Sequence, residues 1–312
     1  MSKPEIFCRV ATTFTADGAF DEDAFPQFLQ RFIDAGIGIY LASAGSGESG
    51  AMSRDELRRV YRLGVATCKG KIPVHANPPE QLAARATLEH ITLAIDAGVE
   101  IVNMYGPAGW HGFQPTPEEF FAFFDELLPQ VRHPVALSPN PAVGRGVTPA
   151  MIAALCAKHG QIVAINLADQ NDDYFIELKD RLKREVALNV QLSGSMHMLL
   201  LGASGVIGAE PNMLPETYRR YLDLCTGGRL AEAAHVYADL RRFIRYVAPW
   251  RGAHPRWIKM MMKVFKIPGW GIRGPYRMPS DEEQQKFAAG LLRLRLPEID
   301  AMARAAGLSL PD

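Results

Sequence analysis

Short apolar runs alternate with stretches of helical period eight times between the N-terminus and about residue 225. The runs read as strands at Ile6–Ala11, Ile37–Leu41, Ile72–Ala76, Ile101–Tyr105, Val135–Ser138, Ile162–Leu167, Ala187–Leu192 and Val206–Ala209. They are apolar on both faces, as strands of a covered parallel sheet must be. Helix signals lie between them. Asp21 or Asp23 can cap the first helix, Ser53-x-x-Glu56 is a capping box, and Pro79 suits the first turn of a helix running to Gly98. Thr116-Pro117-x-Glu119, Thr148-Pro149, Asn171, Ser195 and Pro215 mark the later starts. Ile33-Asp34-Ala35-Gly36 recurs as Ile95-Asp96-Ala97-Gly98, a repeated helix stop. Eight units of about 27 residues predict an α/β fold, a (β/α)8 TIM barrel over residues 1–225. An open doubly wound sheet fits less well, because no GxGxxG follows the first strand.

Residues 226–312 read as helices only, a C-terminal extension of the same domain, with spans at Arg229–Val247, Pro255–Phe265, Ser280–Leu292 and a short last one. This part carries one basic stretch, Arg241, Arg242, Arg245, Arg251, Arg256 and Lys259, read as a solvated or subunit-contacting helix face.

Composition narrows the class. Lys+Arg and Asp+Glu are both 34, so no basic excess exists to displace counterions from a nucleic acid. No apolar run is long enough to span a membrane, and the N-terminus has no apolar signal segment. Four scattered cysteines, with no CxxC pair, fit a reducing compartment. The expectation is a cytoplasmic enzyme with neither nucleic acid nor membrane as partner.

In such a barrel, chemistry sits at the strand C-termini. The polar residues there are Thr12, Thr13, His75, Asn77, Tyr105, Ser138, Asn140, Asn166, Asp169, Gln170, Gln191, Ser193 and Glu210, with Trp110, His111 and Arg145 beyond. Gly45-Ser46-Gly47 is a tight loop whose N–H groups and hydroxyl suit a carboxylate or phosphate; an ordinary turn is the alternative. His75 is a candidate base or metal ligand, or a hydrogen-bonded structural histidine. Glu210 is a candidate base, or pairs with loop backbone. Asp169 is a candidate proton carrier, or caps the helix from Asn171.

Together these landmarks resemble the dihydrodipicolinate synthase/N-acetylneuraminate lyase family. Ala44-Gly45-Ser46-Gly47-Glu48 is similar to its Gly-Thr-Thr-Gly-Glu loop, and Gln114-Pro115-Thr116 to its Pro-Thr before the fourth helix. Ile162-Val163-Ala164-Ile165, Leu192-Ser193-Gly194 and Gly202-Ala203-Ser204-Gly205-Val206-Ile207 resemble its sixth, seventh and eighth strand regions. The resemblance covers residues 6 to about 300 and implies an oligomer, tetramer or dimer, taking a small carboxylate.

Two departures bear on chemistry. The family's Schiff-base lysine follows its sixth strand's Ile-Val-Gly-Ile run, where this chain has Asn166; its proton-shuttling tyrosine aligns with Ser138 or Pro139. A carboxamide forms no iminium. Arg145 stands near the family's carboxylate-binding arginine. The resemblance thus implies a lyase, aldolase or hydro-lyase in type, acting on a 2-oxo or hydroxy acid without a Schiff base. His75, Asn166, Glu210 and Asp169 are its catalytic candidates, and Gly45, Ser46, Ser138 and Arg145 its binding candidates. No cofactor is expected; if a divalent metal served as electron sink, His75, Asp169 and Glu210 would be its ligands. The competing expectations are a non-catalytic carboxylate-binding or regulatory protein, and a shifted register in which a lysine still acts.

Overall fold

Parallel strands have no free edge only if the last pairs with the first, and here it does. The computed structural model describes residues 4–108, 114–139, 146–167, 171–252 and 255–311. The strands are β1 (Glu5–Arg9), β2 (Gly38–Leu41), β3 (Val74–Ala76), β4 (Ile101–Met104), β5 (Val135–Leu137), β6 (Ile162–Leu167), β7 (Ala187–Val190) and β8 (Gly205–Gly208). Each pairs in parallel with the next, and β8 pairs with β1 through Phe7–Ile207, closing the barrel. Asn212 secures the seam. Its carboxamide donates to Arg9 O (2.8 Å) and Ala209 O (2.7 Å), and accepts from Ala11 N (2.8 Å).

Among the described residues, eight helices alternate with the strands: α1 (Ala24–Ala35), α2 (Arg54–Cys68), α3 (Ala84–Ala97), α4 (Pro117–Leu127), α5 (Pro149–Lys158), α6 (Asp172–Arg181), α7 (Ser195–Leu200) and α8 (Pro215–Thr226). Their apolar faces, such as Phe25, Phe28, Leu29 and Phe32 of α1, bury against the outer strand faces. The stops at Gly36 and Gly98 both take left-handed backbone, φ 62° and 91°. The described residues then form α9 (Leu230–Val247), α10 (Arg256–Val264), α11 (Asp281–Leu292) and α12 (Pro297–Ala305).

Several boundaries differ from the sequence expectation. α3 starts at Ala84, not Pro79. Gln81 O instead accepts from Ala108 N (3.1 Å) in the segment after β4, and Ala83, with extended backbone, takes the cap position. For α1, Asp21 Oδ1 accepts from Ala24 N (3.0 Å), while Asp23 at the cap position makes no such bond. Asn171 itself caps α6 by accepting from Tyr174 N (2.9 Å). The basic stretch is not one solvated face, since Lys259 is wholly buried.

The segment after α10 returns across the barrel mouth. Arg273 donates to both Glu56 carboxylate oxygens and to the carbonyls of Gly18 and Ala51. Glu56 also closes the α2 capping box with Ser53. The Arg273 guanidinium beside Glu56 pulls its carboxyl down to about 2. As pH falls from about 4.5 toward 2, the unfolded chain takes up this proton before the folded one, so stability is lost. Glu56→Gln is expected to cost about 1–2 kcal/mol at neutral pH. It should also flatten the acid limb of the stability curve across that window, read by urea unfolding at successive pH values.

Candidate functional site

Strand register places every second residue inside the barrel. Phe7, Tyr40 and Ile207 form a buried cluster separate from the main core, which fixes the inward parity. Arg9 pairs with Tyr40, Tyr40 with His75, Asn103 with Ala136, and Asn166 with Asn189, so these side chains share the inward face. The interior toward the strand C-termini is therefore polar.

Its centre is a hydrogen-bonded chain of neutral groups. Asn166 Nδ2 donates to Tyr40 Oη (3.1 Å) and to Asn103 Oδ1 (2.9 Å). Asn166 Oδ1 accepts from Asn189 Nδ2 (2.9 Å), and Ser138 Oγ donates to Asn103 Oδ1 (2.9 Å). Asn103 Oδ1 thus accepts twice, while its Nδ2 has no partner among the described residues. Burial pushes the Tyr40 phenol up, so it stays a neutral hydroxyl.

His75 stacks on Phe7 (centroids 5.0 Å apart) and meets Tyr40 edge-on (4.8 Å). It is 4% exposed, and burial pulls its imidazole down to about 3. The ring is neutral at physiological pH, and its Nδ1 has no partner among the described residues. Asn77, on the same strand end, has neither carboxamide atom paired among them.

The Gly45–Glu48 loop borders this interior. A Cβ on Gly47 would lie 2.6 Å from Ser43 N, so only glycine fits. Gly47 N donates to Ser43 Oγ (3.2 Å), and Gly47 O accepts from Thr12 Oγ1 (2.8 Å). That N–H is therefore spent inside the protein and is not offered to a ligand. The Ser46 hydroxyl is buried and without a partner among the described residues.

Glu48 is held from the C-terminal extension. Its Oε2 accepts from Arg273 N (3.0 Å), and its Oε1 lies 3.6 Å from Lys259 Nζ. Lys259 donates to the carbonyls of Thr12 and Gly269 as well. Both side chains are fully buried; burial pushes the Glu48 carboxyl up and pulls Lys259 down to about 8. No lysine lies on a strand among the described residues, but Lys259 reaches the mouth from α10.

Glu210 departs from the interior group. Its Oε2 accepts from Ala209 N (3.2 Å) and from the Tyr218 hydroxyl of α8 (3.4 Å). Burial, and after it the Glu210 carboxylate, push up the thiol of Cys8, on the outward parity of β1. The carboxylate thus sits in the strand–helix layer, away from His75 and Asn166. Asp169 and Arg145 lie outside the described residues, as do Trp110, His111, Asn140 and Gln170. Among the described residues no three His, Cys, Asp or Glu converge as a metal set.

Sequence reading missed Arg9, Tyr40, Asn103, Asn189 and Lys259. For Arg9 the signal was present, a cation two residues from Phe7 inside an apolar run. Lys259 had no such signal, since Thr12 and Glu48 lie more than 200 residues away from it.

A closed parallel barrel with a polar interior at its strand C-termini and a helical tail across its mouth is the architecture of barrel enzymes and their relatives. The chain belongs to the dihydrodipicolinate synthetase family, whose model matches residues 3–293. It is 29% identical over 245 residues to a 4-hydroxy-tetrahydrodipicolinate synthase of Xanthomonas axonopodis pv. citri (strain 306), covering 78% of this chain and 80% of that one. It is 25% identical over 237 residues to the putative 2-dehydro-3-deoxy-D-gluconate aldolase YagE of Escherichia coli (strain K12), covering 74% and 77%. The crystal structure of YagE in complex with pyruvate superposes with a TM-score of 0.82 at 22% identity, over 94% of this chain and 99% of that one. The dihydrodipicolinate synthase from Aquifex aeolicus gives 0.83 at 20% identity, over 95% and 99%.

The buried Lys259–Glu48 pair yields a stability test. Lys259→Met strands a buried carboxylate and is expected to cost about 3–5 kcal/mol. Adding Glu48→Gln should restore a substantial part of that loss, measured as a double-mutant cycle by chemical denaturation.

Proposed function

We propose that this protein is a lyase of the aldolase or hydro-lyase type, acting on a small 2-oxo or hydroxy acid without a Schiff base. Asn166 carries the reading. It holds the inward place on β6 where the family resemblance puts the lysine, and both ends of its carboxamide are engaged by Tyr40, Asn103 and Asn189. A carboxamide so held orients its neighbours and forms no covalent bond to a carbonyl carbon.

Buried groups without partners among the described residues support a polar ligand: Ser46 Oγ, His75 Nδ1, Asn77 and Asn103 Nδ2. A buried polar group costs free energy unless something meets it. In this reading Ser46 and Gly45 border the ligand's carboxylate, with Ser138 holding Asn103 in place. Neutral His75 gives a hydrogen bond from one ring nitrogen or accepts one at the other, because an imidazole pulled down to about 3 takes up no second proton at neutral pH. Asp169 remains the charged candidate for moving protons and Arg145 the one for binding carboxylate, whereas Glu210 is turned away toward Tyr218. The reading invokes no cofactor.

A non-catalytic carboxylate-binding or regulatory protein is the second reading, favoured by one observation: among the described residues, no inward-facing side chain at the strand C-termini is suited to carry a proton at neutral pH. Turnover separates the two. A thermal-shift panel of 2-oxo, hydroxy, sugar and aromatic acids, with and without divalent metals, should give a carboxylate hit. Consumption of that compound supports the lyase, and binding without turnover supports the alternative. Borohydride with pyruvate, followed by intact mass, should leave the chain unmodified; a trapped adduct overturns the mechanism. Asn166→Lys alone should create no pyruvate condensation, because Ser138 offers no phenol, and appreciable turnover would refute that view of β5.

A further inference from the structure

Arg9 is the last residue of β1. It pairs in register with Tyr40 and lies two residues from Phe7, which is inside the barrel. Its guanidinium acts electrostatically on the Tyr40 hydroxyl. Its Nε is buried and has no hydrogen-bond partner among the described residues. No carboxylate among those residues forms an ion pair with it either.

The groups beside it share a bias. Asn103 Oδ1 is used twice, so what that residue has left is an N–H2 donor. Tyr40 Oη already accepts from Asn166, which leaves its own proton to give. Ser46 adds an unpaired buried hydroxyl. The interior thus combines a permanent cation with surplus donors, and an acceptor-rich anion would satisfy both. An arginine suits this role because it presents several N–H groups in a plane and keeps its charge at every accessible pH.

We propose that Arg9 is the cation that receives the carboxylate of a small ligand inside the barrel mouth, with Asn103 and Tyr40 as neutral donors beside it. The proposal rests on the carboxylate-binding part of the function proposed above and adds the residue that confers it. Arg9 restores at β1 a positive charge that the Asn166 position on β6 does not supply. It does so as a fixed charge and not as a nucleophile.

The test is calorimetric titration of the full chain and of Arg9→Met and Arg9→Lys with pyruvate, lactate and the neutral amide of each. Melting curves of the ligand-free proteins are recorded alongside. The unsubstituted protein should prefer acid over amide by roughly 10- to 100-fold. Arg9→Met should erase that preference, and Arg9→Lys should keep part of it. The ligand-free melting midpoint of Arg9→Met should be unchanged or higher, because an unpaired inward charge has been removed. An acid preference that survives Arg9→Met overturns the proposal and leaves the proposed function standing. So does a large fall in that midpoint with the preference intact, the mark of a purely structural arginine. Failure of the unsubstituted protein to bind either acid in preference to its amide overturns the assignment of Arg9 and the carboxylate reading together.

Discussion

Closure of the barrel imposes a parity that the rest of the molecule obeys. Once β8 pairs with β1, each strand sends alternate side chains into a space from which the helices are excluded. Whatever lies at those positions must be satisfied by its seven neighbours or by a guest. At Phe7 and Ile207 the answer is apolar packing. One layer further along, the answer is carboxamides joined through Asn166. Neutral amides suit this place, since each brings donors and acceptors and none carries the desolvation cost of a buried ion.

That choice divides the site into zones. The central zone is neutral, with His75 and Tyr40 both held uncharged by burial. Among the described residues, charge lies beside that zone, in Arg9 at the end of β1, and in the structural clamps, Glu48 with Lys259 and Glu56 with Arg273. Glu210 belongs to neither, as its carboxylate is turned to the strand–helix layer.

The barrel was legible because its signals are local. Alternating periods, capping boxes at Ser53 and Thr116, and stops at Gly36 and Gly98 need only a few neighbouring residues to act. The start of α3 misled because Pro79 fits a first turn by itself, while the bond from Ala108 N to Gln81 O depends on a segment beyond β4. The site was half legible. Gly45, Ser46, His75, Ser138 and Asn166 could be named from strand ends. The direction of Glu210 and the burial of Lys259 were not legible, because they depend on contacts between distant segments. Arg9 was readable in principle by counting parity from Phe7, but an arginine inside a strand looks like a surface residue until the barrel closes.

The long reach of those clamps has a consequence for how the chain is made. Lys259 grips Thr12 across 247 residues, and Arg273 grips Glu48 across 225. A nascent chain emerging from the ribosome therefore exposes Glu48 early and cannot give it Lys259 and Arg273 until nearly everything else has been synthesised. Eight strands can close before that moment, but the mouth they surround takes its final form only when the tail arrives. Barrel assembly and completion of the pocket are thus separate events in time, and a chain cut short after β8 would stop between them.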